Sequence, residues 1–433
     1  MWGGTAVQRR WTGTVAVVSA LGTAVALGGC GSSGSAGSAE DGDVTLKLVA
    51  ADYGDSEANS SQKYWDDLAQ RYEKEHPGVR IDVSVYSWSD VDAKVREMVD
   101  AGEAPDIAQG GAYADYAAKG LLYQAGELLS VPVQADFLPQ LSDAGTVNRL
   151  QYGLPFAAST RVLFYNKELF AAAGIDSAPE TWEDLAEDAA ALKDAGVETP
   201  YALPLGPEEA QAETMQWLLS GGSGYIDDVG SYAFDSARNV ETLTWLKEEL
   251  VEKGLTGPTA PAKLNRADAT AAFTRGDVGM VNGLPTLLRT AADQGLELGT
   301  VPMPGASGRS GGTLGVADWM MAFKHNDHQK EIGAFLDFVY DEENVLEFAR
   351  TYDMLPVTTS ASEVMSGTER DALLAPFLDE LPESELYPVG KTSWAEVSAA
   401  VKQRIGEAVA PDGSPREVLE ELQQVALKAE SAA

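Results

Sequence analysis

The chain is poor in cysteine, histidine and positive charge. Its 433 residues hold one cysteine, Cys30, and three histidines, His76, His325 and His328. A single cysteine excludes an internal disulfide and a thiolate metal cluster. His325 and His328 stand three apart in "KHNDHQ", which reads as a solvated loop rather than a metal site. Only 31 basic residues face 67 acidic ones, a net charge of −36. Residues 1–29 hold two of the arginines and no acid, so residues 30–433 carry 29 basic against 67 acidic residues, a net −38. A field of that sign argues against nucleic acid and against electrostatic binding to anionic lipid. Beyond the first thirty residues no stretch reaches about eighteen consecutive apolar residues, which excludes a spanning helix there.

What is present starts at the N-terminus. "MWGGTAVQRRWTG" supplies a positive segment, and "TVAVVSALGTAVALGG" is an apolar run too short and too glycine-broken for a comfortable membrane span. "LGGC" then matches the lipobox of bacterial lipoproteins: an aliphatic residue, two small residues and a cysteine. Cleavage after Gly29 would leave Cys30 to carry a diacylglyceryl chain, so residues 1–29 read as a lipoprotein signal peptide. "RRW" is a fragment of the twin-arginine signature, which leaves Sec and twin-arginine export both open. "GSSGSAGSAEDGD" reads as a flexible tether, giving a lipidated Cys30 and linker over 30–43. Lipid, tether and acidic globule together describe a receptor-like domain held at the extracellular face of a membrane.

The remaining length suits two domains. "VTLKLVAA" reads as a buried strand. "SSQKYWDDLAQRYEKEHPG" follows as a helix with Tyr64, Trp65, Leu68 and Tyr72 on one face, stopped by Pro77-Gly78. "VRIDVSVYSW" is a second strand. "SDVDAKVREMVDAGEAP" is a helix begun at Ser89 or Asp90, and "DIAQ" is a third strand. Such a βαβαβ order predicts a parallel sheet, whose strands present ligand contacts at their carboxyl ends. Those ends are Asp52-Tyr53-Gly54, Tyr86 with Trp88, and Gln109-Gly110-Gly111. An aromatic face, an acid and an amide on one rim suit a sugar, whose C–H face stacks on rings and whose hydroxyls meet fixed polar groups. Trp88 could equally anchor the core.

A second α/β block spans "RVLFYNKELFAAAGI" to "ATAAFTRGDVGMVNGLPTLLRTAADQG". Within it "TWEDLAEDAAALK" opens on Thr181 as N-cap, with Asp184 at the capping-box position. Trp217 in "MQWLLSGG" reads as helix core. "GLPFA" and "VPMPG" read as crossings between lobes, after which "GVADWMMAFKH" and "QKEIGAFLDFVY" return to the first lobe. A helical C-terminal segment follows.

At this point the residues resemble a known family. "PFAASTRVLFYNKELF" fits the signature of the extracellular solute-binding proteins of family 1, the maltose-binding type that serve ABC importers, through its small residue, aliphatic pair and Tyr165-Asn166. It departs at Ala172, where that family carries a charged or amide residue. "EKEHPGVRIDV", "AGEAPDIAQ", "AAFTRGDVGMVNG", "VPMPG" and "DMLPVTTSA" extend the resemblance through most of the chain after the tether. It implies an α/β, two-lobed periplasmic-binding-protein-like fold, with ligand in a cleft between lobes joined by a multi-strand hinge. Lobe one would take 44–155 and 303–350, and lobe two 156–302 and 351–433.

The resemblance also implies site residues. Beside Asp52 and Trp88 from the strand ends, these are Tyr53 and Gly54; Gln109, Gly110 and Tyr113; Ser159, Thr160 and Arg161 in the crossing before the signature tyrosine; and Asn282-Gly283 in a turn of lobe two. Pro285 stands where maltodextrin binders present a tryptophan. Trp394 in "TSWAEVSAAVKQRI" sits where the family places a stacking tryptophan at a helix start. Asp318 and Trp319 follow the glycine-rich "GGTLGVA", and their alternation is equally compatible with burying the tryptophan. Asp106 reads as structural. The implied function is capture of a carbohydrate and its delivery to the membrane permease of an ABC importer, by a monomer moored through lipid, without cofactor, metal or nucleic acid.

Two rivals stand beside it. Arg161 in the cleft would suit an anionic solute such as a uronate, unless it bonds hydroxyls or braces the hinge. An extracellular glycosidase needs two carboxyls held across a cleft. The adjacent acids Asp66-Asp67, Glu208-Glu209 and Glu248-Glu249 read instead as solvated helix faces.

Overall fold

The computed structural model describes residues 43–54, 56–309 and 312–432, so Cys30 and the expected leader and tether lie outside the described residues. Strands β1 (Val44–Ala51), β2 (Val79–Tyr86) and β3 (Ile107–Gly110) pair in parallel in the order β2-β1-β3, as the βαβαβ reading requires. Between them, helix Ser61–Glu75 buries Tyr64, Trp65, Leu68 and Tyr72. Ser60 caps it by accepting from the Lys63 amide at 3.3 Å. Gly78 just beyond takes φ of 100°, a left-handed conformation that glycine reaches without strain. Helix Val91–Asp100 buries Val91 and Val95 and starts from Asp90.

Strand β4 (Leu154–Thr160) carries the chain to the first crossing, where Arg161 alone separates it from β5 (Val162–Asn166). β6 (Thr199–Ala202), β7 (Val278–Gly283) and β8 (Leu298–Val301) join β5 in a second sheet of order β8-β5-β7-β6. β9 (Thr313–Ala322) then returns to the first sheet, antiparallel to both β3 and β4. β10 (Ser384–Glu385) pairs in parallel with its start. The capping box of helix Trp182–Asp194 forms as expected: Thr181 Oγ1 accepts from the Asp184 amide at 3.1 Å, and Asp184 Oδ2 from the Thr181 amide at 2.9 Å.

Packing revises one boundary. Residues 351–383, expected with the second lobe, bury Leu355, Val357, Ala361, Met365 and Phe377 in the same core as β1 and β9. Leu355 pairs with Ala158 and Thr358 with Phe137, so this segment extends the first sheet's edge. The passage to the second lobe comes after β10, and the helices Trp394–Arg404 and Pro415–Ala432 bury Val397, Val401, Leu419 and Leu422 in the second core. Trp217 is fully buried there, packed against Trp182 and Trp245 at 5.8 Å from each.

Two polar residues behave differently from one another. Asp106 is structural, as expected: its carboxylate accepts from the Lys47 amide at 2.7 Å. His328, expected in a solvated loop, instead docks Nδ1 on Asp106 at 2.8 Å, because that buried carboxylate has a second oxygen to satisfy. In the first core Trp319 lies 5.3 Å from Tyr113, and a side chain on Gly153 would meet both rings at under 3.0 Å. Trp319→Ala should therefore cost about 3–5 kcal/mol, read from denaturant unfolding. A loss below about 1 kcal/mol would show that the ring is not a packing element.

Candidate functional site

The carboxyl ends of β1, β2, β3 and β9 meet on one rim. Asp52 folds the chain after β1 by accepting from the amides of Gly54 (3.0 Å) and Ser61 (3.1 Å). Its role is to hold the loop. Gly54 approaches the backbone of Asn59 so closely that a Cβ would lie 2.4 Å from its carbonyl oxygen. The Tyr53 hydroxyl donates to Asp318 Oδ2 at 2.6 Å and accepts from Gln109 Nε2 at 2.7 Å. Gln109 is fully buried and also accepts from the Ala51 amide at 3.2 Å. Trp88 meets Tyr53 edge-on, 5.2 Å between centroids at 89°, and is 38% exposed. It stands on the rim rather than in the core.

The register of β9 against β4 shifts between Asp318 and Trp319. Such a bulge re-aims neighbouring side chains. Here it sends Asp318 to Tyr53 and Trp319 into the core at 1% exposure. Of the two residues weighed there, the acid belongs to the rim. Tyr113, expected as a ligand contact, is also fully buried, its hydroxyl given to the Ala144 carbonyl. Both rings support the rim from behind because their apolar faces fill the space between β9 and Gly153.

Sequence reading passed over Asp92. It accepts from the Gly111 amide at 3.1 Å and sits against Gly110, where a Cβ would fall 2.4 Å from its Oδ1. Burial raises the Asp92 carboxyl, against the Gly111 amide and Arg96. Burial likewise pushes Asp318 up to about 7, opposed by the Tyr53 hydrogen bond and reinforced by Asp92.

The second half of the site lies around the first crossing. Arg161 is 1% exposed and gives Nη2 to Glu209 at 2.7 Å, while its carbonyl accepts from Thr313 Oγ1 at 2.7 Å. Glu209 also pairs with Arg266, which reaches Glu208 at 3.0 Å. Burial works to raise Glu209, but Arg161 and Arg266 outweigh it and hold the carboxyl low. These acids are therefore not the solvated face that their spacing indicated. Their helix-start position places them over the buried guanidinium, a tertiary placement that adjacency in sequence does not encode.

Asn282 and Gly283, expected in a turn, are the last residues of β7, with Asn282 buried. Its amide donates to Tyr201 Oη and Glu213 Oε1, both at 3.0 Å. Glu213 is buried too, and burial raises its carboxyl despite Arg161. Among the described residues three buried polar atoms here have no partner: Arg161 Nε, Glu213 Oε2 and Asn282 Oδ1. Thr160 Oγ1 donates to the Phe377 carbonyl at 3.0 Å, and Ser159 beside it is 5% exposed. Trp394 is 9% exposed and stacked on Tyr387, 5.3 Å apart at 24°. Its face is covered, so Tyr387, which sequence reading missed, stands between it and the groove. That groove, about 360 Å³, runs between residues 140–146 and 226–230 along Leu386–Lys391.

Residues 56–345 match the family model described as bacterial extracellular solute-binding protein. The chain belongs to this family. Among its relatives, a protein of Brucella abortus is 26% identical over 392 residues, 89% of this chain and 93% of its own. The sn-glycerol-3-phosphate-binding periplasmic protein of Escherichia coli is 27% identical over 355 residues, 74% of this chain and 79% of its own. In structure the chain resembles the cyclic alpha-maltosyl-1,6-maltose binding protein of Arthrobacter globiformis, with a TM-score of 0.77 at 22% identity over 90% of this chain and all of that one. It also resembles the sugar-binding protein MalE of Xanthomonas citri, with a TM-score of 0.75 at 20% identity over 90% and 98%. These likenesses establish the α/β, two-lobed periplasmic-binding-protein-like fold, and membership makes this a binding protein rather than an enzyme.

Asp318 gives this solute-binding protein a pH signature. Folded, its carboxyl keeps a proton up to about 7, whereas the unfolded chain releases it near the ordinary aspartate value of 3.8. Stability therefore falls as pH rises from about 4 to about 7 and levels off above. The melting temperature of Asp318→Asn should gain on that of the parent between pH 5 and pH 8. Parallel pH profiles would show that the carboxyl ionises normally.

Proposed function

We propose that this chain captures a hydroxyl-rich solute, a mono-, di- or oligosaccharide, in the cleft between its lobes and hands it to the membrane permease of an ABC importer. The observation that carries the reading is Trp88, an exposed ring set beside the hydrogen-bonded Tyr53, Asp318 and Gln109. A pyranose needs that combination of a flat apolar wall and oriented polar groups. The orphan polar atoms around Arg161 supply further donors and acceptors on the opposing half. The names of the Arthrobacter and Xanthomonas proteins, both sugar binders, support the same class.

In this reading the first lobe is 44–160 with 313–383, and the second is 162–301 with the C-terminal helices. The strands meeting at Arg161, the β8–β9 connection and the segment after β10 form the hinge. Ligand touching both halves biases that hinge towards closure, and the closed form is what the permease engages. An anionic solute, whether a uronate or the phosphoester that names the Escherichia coli relative, is disfavoured. The one guanidinium at the crossing faces Glu209, with Glu213 nearby.

A thermal-shift screen of neutral sugars, uronates and sn-glycerol 3-phosphate tests the class, since a ligand that binds only the folded state raises the melting point. Sugars should raise it and the anions should not; the reverse pattern would overturn the proposal. Trp88→Ala should weaken the best sugar about tenfold, or roughly 1.4 kcal/mol, by calorimetry. An unchanged dissociation constant would remove Trp88 from the site.

We further propose that Cys30 carries the lipid that moors the protein outside the cell. Cys30→Ser should move it from the membrane fraction to the medium. Retention on membranes would mean a different anchor.

A further inference from the structure

This inference rests on the sugar-binding reading and narrows it. We propose that the first-lobe half of the cleft selects a carbohydrate bearing a positively charged nitrogen, an amino sugar, with Asp318 and Asp92 as carboxylate partners and Trp88 as the aromatic wall.

The two acids reach the rim from different elements and are each fixed there. Asp318 is turned outward from β9 by the register shift and held by the Tyr53 hydroxyl at 2.6 Å. Asp92, at the start of helix Val91–Asp100, is held by the Gly111 amide at 3.1 Å. The absence of a side chain on Gly110 makes room for it. Both side chains remain partly accessible to solvent. Asp92 raises the Asp318 carboxyl, while Arg96 partly offsets the effect of burial on Asp92.

Among the described residues neither carboxyl takes part in an ion pair, although arginines and lysines pair with acids over much of the surface. On the opposing half Glu209 is matched by both Arg161 and Arg266. The rim thus holds two acids whose charged form burial disfavours, and an ammonium set between them would favour ionisation of both and displace the proton that burial keeps on Asp318. An ammonium can donate to both carboxylates in charge-assisted hydrogen bonds, stronger than those a neutral hydroxyl makes. Trp88 offers such a cation a ring face at the same rim. The net charge of −36 draws cations towards the cleft and repels anions.

The test is calorimetric titration of the purified full chain at neutral pH with matched triplets. Each triplet is a neutral sugar, its 2-amino form and its N-acetyl form: glucose, glucosamine and N-acetylglucosamine, with the galactose and mannose series alongside. In at least one series the amine should bind ten or more times tighter than both uncharged members, and its affinity alone should fall as salt is raised. The preference ratio should collapse towards one in Asp318→Asn and in Asp92→Asn. The parent's own ratio decides the matter if either variant folds poorly. Neutral members that bind as tightly as the amine would overturn this inference while leaving the sugar reading intact. N-acetyl sugars matching the amine would also overturn it, since shape rather than charge would then be recognised. Binding by no member would overturn this inference alone, since the thermal-shift screen with longer sugars decides the sugar reading.

Discussion

A buried guanidinium holds the joint of this molecule. Arg161 occupies the single-residue step between β4 of one sheet and β5 of the other, with almost no access to water. Left alone, a charge there would be prohibitive. Glu209 makes it tolerable, Arg266 balances Glu209, and Glu208 balances Arg266, so charge is passed outward from the crossing to the surface in alternating sign. The Arg161 carbonyl meanwhile takes the Thr313 hydroxyl from the strand that makes the return crossing. Two passages of the chain between sheets are thereby tied at one residue. β4, β5 and β9 all start or end beside that tie, so it sets how the two sheets join.

The cleft halves divide the polar chemistry unequally. In lobe two Glu209 is neutralised by Arg161 and Arg266, and the unsatisfied atoms are a mixture of donors and acceptors. The lobe-one rim carries the acids Asp318 and Asp92, with the Tyr53 hydroxyl donating to Asp318 and accepting from Gln109. On the proposed reading a guest between such halves would meet a charge-balanced floor on one side and an acidic wall on the other.

Much of this was legible from residue pattern. The helix faces of Tyr64, Trp65, Leu68 and Tyr72, the parallel β2-β1-β3 order and the Thr181–Asp184 cap are local consequences of periodicity and capping chemistry, and they form as read. That Tyr53, Trp88 and Gln109 share one rim followed from the parallel order of the strands they end. What escaped depended on long-range geometry. The direction of Trp319 turned on a bulge that no alternation pattern encodes. Glu208 and Glu209 looked like exposed neighbours because the arginines facing them come from about fifty residues away in either direction. Asp92 was hidden inside a helix start, where an acid reads as ordinary dipole chemistry. The segment 351–383 was misassigned because its helices carry no mark of which core they serve.

The exposure of Trp88 has a practical corollary. Among the described tryptophans it is the most exposed: Trp65, Trp217 and Trp319 are sealed in the cores, Trp182 and Trp394 nearly so, and Trp245 is half-buried. Indole emission moves to shorter wavelength when water is removed from around the ring. A guest pressed against Trp88 would change the environment of that fluorophore and leave its buried counterparts much as they were. The protein thus carries its own optical readout of occupancy, with no dye attached.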